Sequence, residues 1–201
     1  MAVADLGVSA TFASMDNRLA RLRASLAAAT ELEVLPPTSE ADVAGFEARY
    51  GITLPLEYRR FLLEVAEGIS LGGEPQLYAL RDFAGGVDLT RPFWYGAADA
   101  DAILAAIAAA GPGGPLADRA VMALQRSGDP DGCLTLAGNG GNDFSVIVVS
   151  GEQPGRMWRT GELDAPETRA LYDGGGDVEP LSFLDWIVPW ASCFLGVELD
   201  T

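Results

Sequence analysis

The chain has 201 residues, 49 % of them hydrophobic, and its 13 basic and 29 acidic side chains give a formal charge of −16. Every basic residue is Arg; without Lys or His there is no Ser-His-Asp triad, Cys-His dyad, imidazole metal site, Schiff-base amine or phosphate-cradling P-loop Lys. The length suits one domain with an appendage and the apolar content suits a packed core, while the acidic balance disfavours direct nucleic-acid binding.

The N-terminus opens with Asp5 rather than a basic segment, and its Arg residues follow the apolar stretch instead of preceding it. No secretory signal is expected from that order. The most apolar windows, Ala102–Gly111 and Phe144–Val149, are far shorter than the ~20 residues that cross a bilayer. Cys133 and Cys193 are distant in sequence and form no C-x-x-C pair, which suits two buried thiols in a reducing compartment. A soluble cytoplasmic protein without metal or cofactor is the expectation.

In chain order, Phe12, Met15, Leu19, Leu22 and Leu26 recur at spacings of three and four, with Asp16, Arg18, Arg21 and Arg23 on other faces. This predicts an amphipathic helix over residues 12–29, before a break at Pro36-Pro37. Ser39 followed by Asp42 forms a capping pattern, and Val43, Phe46 and Tyr50 make one stripe. Gly51 is placed to end that helix in a left-handed conformation. Pro55 suits the first turn of a second helix that buries Tyr58, Phe61, Leu62 and Val65 and stops at Gly68.

Beyond Gly68 the texture is short apolar runs between Gly and Pro. Strands are predicted at Gln76–Leu80, Ala120–Leu124, Cys133–Ala137, Phe144–Val149 and Arg156–Arg159. In Phe144–Val149 both alternating faces are largely apolar, as in a central strand covered on two sides. Asp99 would cap an Ala-rich helix carrying Ile103, Leu104 and Ile107, ended by Gly111-Pro112, and residues 160–180 read as a long loop. A last helix begins at Ser182 with Asp185 three residues on. It aligns Phe183, Ile187, Trp190 and Phe194, with Trp186 beside them and a kink expected at Pro189.

Several stretches invite chemical readings that their residues do not support. Ala137-Gly138-Asn139-Gly140-Gly141-Asn142-Asp143 precedes a strand and has no P-loop Lys, so it reads as a hairpin turn. Asp129-Pro130-Asp131-Gly132 begins like a calcium loop, but Leu134 and Leu136 fill later ligand positions, so it reads as a turn. No sequence feature pairs two carboxylates for acid/base catalysis. Residues 162–185 hold seven acids (Glu162, Asp164, Glu167, Asp173, Asp177, Glu179, Asp185) against Arg169, either a solvated face or half of an electrostatic interface. Trp186 and Trp190 suit the core. Trp94, in Arg91-Pro92-Phe93-Trp94-Tyr95-Gly96, is a core residue or an exposed binding anchor.

Three motifs in order carry a resemblance. Leu35-Pro36-Pro37-Thr38-Ser39-Glu40, Phe46-Glu47-Ala48-Arg49-Tyr50-Gly51 and Leu54-Pro55-Leu56-Glu57-Tyr58-Arg59-Arg60-Phe61-Leu62 resemble the opening of the SUKH superfamily, which includes bacterial toxin-immunity proteins and the fungal Smi/Knr regulators of cell-wall synthesis. Val146–Trp158 is similar to that family's strand, turn and strand, and Pro180–Trp186 with Trp190 to its terminal helix. The central region departs from the pattern: residues 82–118 are Ala- and Gly-rich, and Asn142-Asp143 replaces the usual Gly-x-Gly-Asp.

The resemblance implies an α+β fold with a single, largely antiparallel sheet flanked by helices. Residues 32–201 would form the SUKH-like domain and residues 1–31 an extra N-terminal helix. It also implies binding rather than catalysis: an immunity protein that neutralises a cognate toxin, often a nuclease or deaminase, by direct contact; the charge of −16 adds that this partner would be basic. The alternative is an intracellular scaffold or regulator of the Smi/Knr type. Trp94, Tyr95, Asp99, Asp101, Asp129, Asp131 and Asp143, in predicted loops and turns at sheet ends, are the candidate partner contacts.

Overall fold

The computed structural model describes residues 4–83, 85–93, 131–140, 143–160, 169–170 and 181–196. Among them are four α-helices: α1 (Ala4–Ala28), α2 (Glu40–Tyr50), α3 (Leu56–Glu64) and α4 (Phe183–Leu195). Seven strands accompany them: β1 (Leu32–Val34), β2 (Ile69–Leu71), β3 (Glu74–Leu77), β4 (Cys133–Gly140), β5 (Asp143–Val148), β6 (Met157–Thr160) and β7 (Arg169–Ala170). All pair antiparallel in chain order within one sheet. The fold is α+β, as the sequence implies.

The helix termini follow their local signals. Ser39 Oγ accepts the Asp42 amide at 3.1 Å to open α2, and Gly51 ends it at φ 67°. Ser182 plays the same part for α4 through the Asp185 amide, 3.3 Å away, and Gly196 ends that helix at φ 64°. Pro189 sits inside α4. Pro55 is the cap residue just before α3 rather than part of its first turn.

Other boundaries differ from expectation. α1 runs N-terminally to Ala4. α3 ends at Glu64, short of Gly68; Gly68 instead lets β2 approach β3, since a Cβ there would lie 2.9 Å from the Leu77 carbonyl. The predicted strand Gln76–Leu80 stops at Leu77 and gives way to a 3-10 turn at Leu80–Asp82. The cause is the Asp82 carboxylate, which accepts the Ala79 amide at 3.3 Å and turns the chain out of the sheet. Within 160–180, read as a loop, Arg169–Ala170 pair with β6 as β7. The strand expected at Ala120–Leu124 and the helix begun at Asp99 lie outside the described residues.

One sheet face packs on the helices. Leu134, Leu136, Ile147 and Met157 meet Leu19, Leu22 and Leu26 of α1, Tyr58, Phe61 and Leu62 of α3, and Phe183, Ile187 and Trp190 of α4 in one buried cluster. Trp186 and Trp190 stack at 5.3 Å between ring centres. The opposite face is also covered at β5 and β6: Val146, Val148 and Trp158 are buried, and Phe93 meets Trp158 edge-on at 5.2 Å. Burial of the adjacent Val146 and Ile147 is what a doubly covered central strand requires. Both cysteines are free thiols. Cys133 is buried as expected, whereas Cys193 is exposed in the last turn of α4, beyond the buried Trp190 and Ala191.

The side chains of α3 reach α1, α2 and α4. Glu57 Oε2 accepts the Leu184 amide at 2.9 Å, occupying a donor that the first turn of α4 leaves open. Arg59 pairs with Glu40 and Glu47 of α2, and Arg60 lies 2.6 Å from both Asp16 of α1 and its own Glu64. In urea titrations, Phe61→Ala is expected to cost about 3–5 kcal/mol and Glu57→Ala about 1 kcal/mol. The exposed Glu33→Ala should stay within about 0.5 kcal/mol; equal effects of the two Glu substitutions would remove the inter-helix cap from the account.

Candidate partner-binding surface

Asp131 is the one predicted contact residue whose side chain falls among the described residues. It stands where the chain turns into β4, and its carboxylate faces its own molecule. Oδ1 accepts the Asp88 amide at 2.8 Å and Oδ2 lies 3.4 Å from the Arg91 guanidinium. Asp88 completes the knot: its Oδ1 accepts both the amide and the hydroxyl of Thr90, at 3.0 and 2.7 Å, and its Oδ2 meets Arg91 at 3.4 Å. The Thr90 hydrogen bonds, with Arg91 beside them, hold the Asp88 carboxyl below the usual Asp range.

Backbone contacts tighten the same point. Gly132 donates to the Asp88 carbonyl at 3.1 Å, and Phe93 donates to the Ser150 carbonyl at 2.8 Å. Gly132 has φ 71°, and a Cβ there would lie 2.4 Å from the Arg91 carbonyl oxygen and 2.5 Å from the Phe93 nitrogen. Only glycine satisfies both the turn and the approach. Phe93 and Gly132 are therefore held against each other. The 3.4 Å separations and the 70 % exposure of the Arg91 side chain make its ion pairs weak; the hydrogen bonds to Asp88 and Asp131 carry the geometry.

Asp143 begins β5 opposite Gly140, at the far end of the β4–β5 hairpin. That pairing is the hairpin expected of the Gly-rich stretch. At ~3.3 Å per residue, the strand between them sets Asp131 and Asp143 about 25 Å apart, so the structure does not bring these two together. Trp94, Tyr95, Asp99, Asp101 and Asp129 lie outside the described residues. Of the seven acids in 162–185, Asp185 is bound to Arg18 at 2.7 Å, and the other six lie outside the described residues.

Sequence reading missed Asp88, Thr90 and Arg91. Asp-x-Thr-Arg is a recognisable local turn pattern, but nothing in sequence links it to Asp131, 43 residues on. Among the described residues, no three His, Cys, Asp or Glu side chains are grouped to hold a metal, and no helix is long and apolar enough to cross a membrane.

The pH dependence of the knot follows from the depressed Asp88 value. Above pH ~4, the ordinary Asp range, its carboxylate is ionised and the stabilisation is fully present. As the pH falls through the lower folded value, that stabilisation is lost. The Thr90 amide resonance, followed by NMR from pH 6 to pH 2, should therefore step only below the ordinary Asp value, and Asp88→Asn should abolish the step. A step at or above that value would overturn the assignment.

Compared with known families, the chain matches the model of the SMI1 / KNR4 family (SUKH-1) over residues 37–177. That match begins after α1. No curated protein and no solved structure matches the chain.

Proposed function

The chain belongs to the SMI1 / KNR4 family (SUKH-1), and from that premise we propose that it is a non-enzymatic immunity protein that neutralises a basic, nucleic-acid-targeting toxin by direct contact in the cytoplasm. The observation that carries this reading is the charge of −16 with Arg as the sole basic residue. Three of those arginines, at 18, 59 and 60, are largely sheltered and engaged by the protein's own carboxylates, so their positive charge offers little to a partner. A toxin that grips a phosphate backbone presents Arg and Lys, and a strongly acidic protein draws it in over long range.

The proposed contacts are the predicted loop residues Trp94, Tyr95, Asp99, Asp101 and Asp129, with Asp131 as the anchor of their base. Asp143 would contact the same partner only across an interface spanning the length of the hairpin. The family name supports a second reading, an intracellular scaffold or regulator without a toxin partner.

Affinity capture from the source organism separates the two: recovery of a basic toxin, or of a toxin tail fused to a secretion module, supports immunity. Recovery of cell-wall or signalling proteins alone supports regulation. With the toxin in hand, raising salt from 50 to 500 mM should slow association at least tenfold while changing dissociation much less. A salt-insensitive on-rate would reduce the charge to a solubility device.

A further inference from the structure

Where β3 gives way to the 3-10 turn, a cavity of about 580 Å³ opens between that turn and the sheet. Leu134 and Thr135 of β4, Val146 of β5, Phe83 of the turn and Tyr58 of α3 all line it. The turn is fixed in place. Phe83 is clasped edge-on by Phe46 and Tyr50 of α2, with ring centres 5.8 and 5.1 Å away, and Arg81 pairs with the buried Glu67 at 3.0 Å. The space is thus a preformed concavity, in the size range that holds one small molecule.

Tyr58 supplies the second observation. It is 2 % exposed, its ring packs on Phe183 at 5.2 Å, and its hydroxyl makes no hydrogen bond among the described residues. Burial, with the Glu67 carboxylate nearby, pushes its ionisation far above the usual Tyr value, so the phenol stays neutral and acts as a donor. A neutral phenol at the cavity wall is placed to donate to an acceptor bound there. The remaining walls are mainly apolar and aromatic, suited to a flat apolar body, and the charge of −16 disfavours anions.

We propose that this cavity is a binding site for a small, neutral, planar apolar molecule carrying one hydrogen-bond acceptor, with the acceptor set against the Tyr58 hydroxyl. The site does not depend on the toxin reading, because it lies between the sheet and the 3-10 turn rather than in the predicted contact loops.

Nile red, neutral and planar with a ring carbonyl, is a suitable probe for fluorescence titration of the full chain. Saturable one-to-one binding with a blue-shifted emission is expected. Tyr58→Phe, which keeps the ring, should weaken it about tenfold, as the loss of one buried hydrogen bond implies. Thr135→Trp, at an exposed strand position, should fill the mouth and abolish binding while circular dichroism and urea midpoint stay near wild type. Non-saturable binding, or equal affinity in wild type and Thr135→Trp, would place the dye on exposed apolar surface such as Leu56 and Leu71 and overturn the site. Loss of binding in Thr135→Trp with unchanged affinity in Tyr58→Phe would overturn the role of the hydroxyl. A crystal structure of the dye-soaked protein with only ordered water in the cavity would overturn the proposal as a whole.

Discussion

The nine residues of α3 hold α1, α2 and α4 in one arrangement. Tyr58, Phe61 and Leu62 point inward, and Phe61 and Tyr58 each set a ring 5.2 Å from that of Phe183. The polar residues between them are spent on neighbours: Glu57 on the first turn of α4, Arg59 on α2, Arg60 on α1. Half-buried carboxylate–backbone and bidentate guanidinium contacts are stronger than solvent-exposed ion pairs because water competes less and geometry is fixed. A helix this short does not stand on its own propensity. Its stability comes from the elements it joins, and their orientation comes from it.

That arrangement gives a physical reason for the family's sequence pattern. Leu54-Pro55-Leu56-Glu57-Tyr58-Arg59-Arg60-Phe61-Leu62 looks like a surface motif, with three charges in nine residues. The structure shows those charges facing other helices, and Glu47 in the preceding motif accepts the Leu54 amide at 2.8 Å. The pattern therefore specifies a scaffold.

What could be read from sequence was short-range. Ser39 with Asp42 and Ser182 with Asp185 are contacts three residues apart, and the double apolar face of Phe144–Val149 is visible within six residues. β1 and β2, three residues each, are too short for alternation to show. Glu57 and Leu184 are 127 positions apart, and Gly68 resembles a helix terminator until the Leu77 carbonyl is seen against it. Asp131 reads from sequence as a turn acid at a sheet end. Its inward role depends on Asp88 and Arg91, which no spacing rule connects to it. The cavity was invisible for the same reason: Tyr58, Phe83, Leu134 and Val146 come from four separate stretches.

The contact of Phe93 with Gly132 also bears on how such a protein can diversify. The intervening segment, residues 94–131, starts and finishes at one clamped point. Closing a chain segment costs entropy only logarithmically, about 0.6 kcal/mol for each doubling. A change in the length of that segment therefore adds little to the entropic cost of bringing Phe93 and Gly132 together.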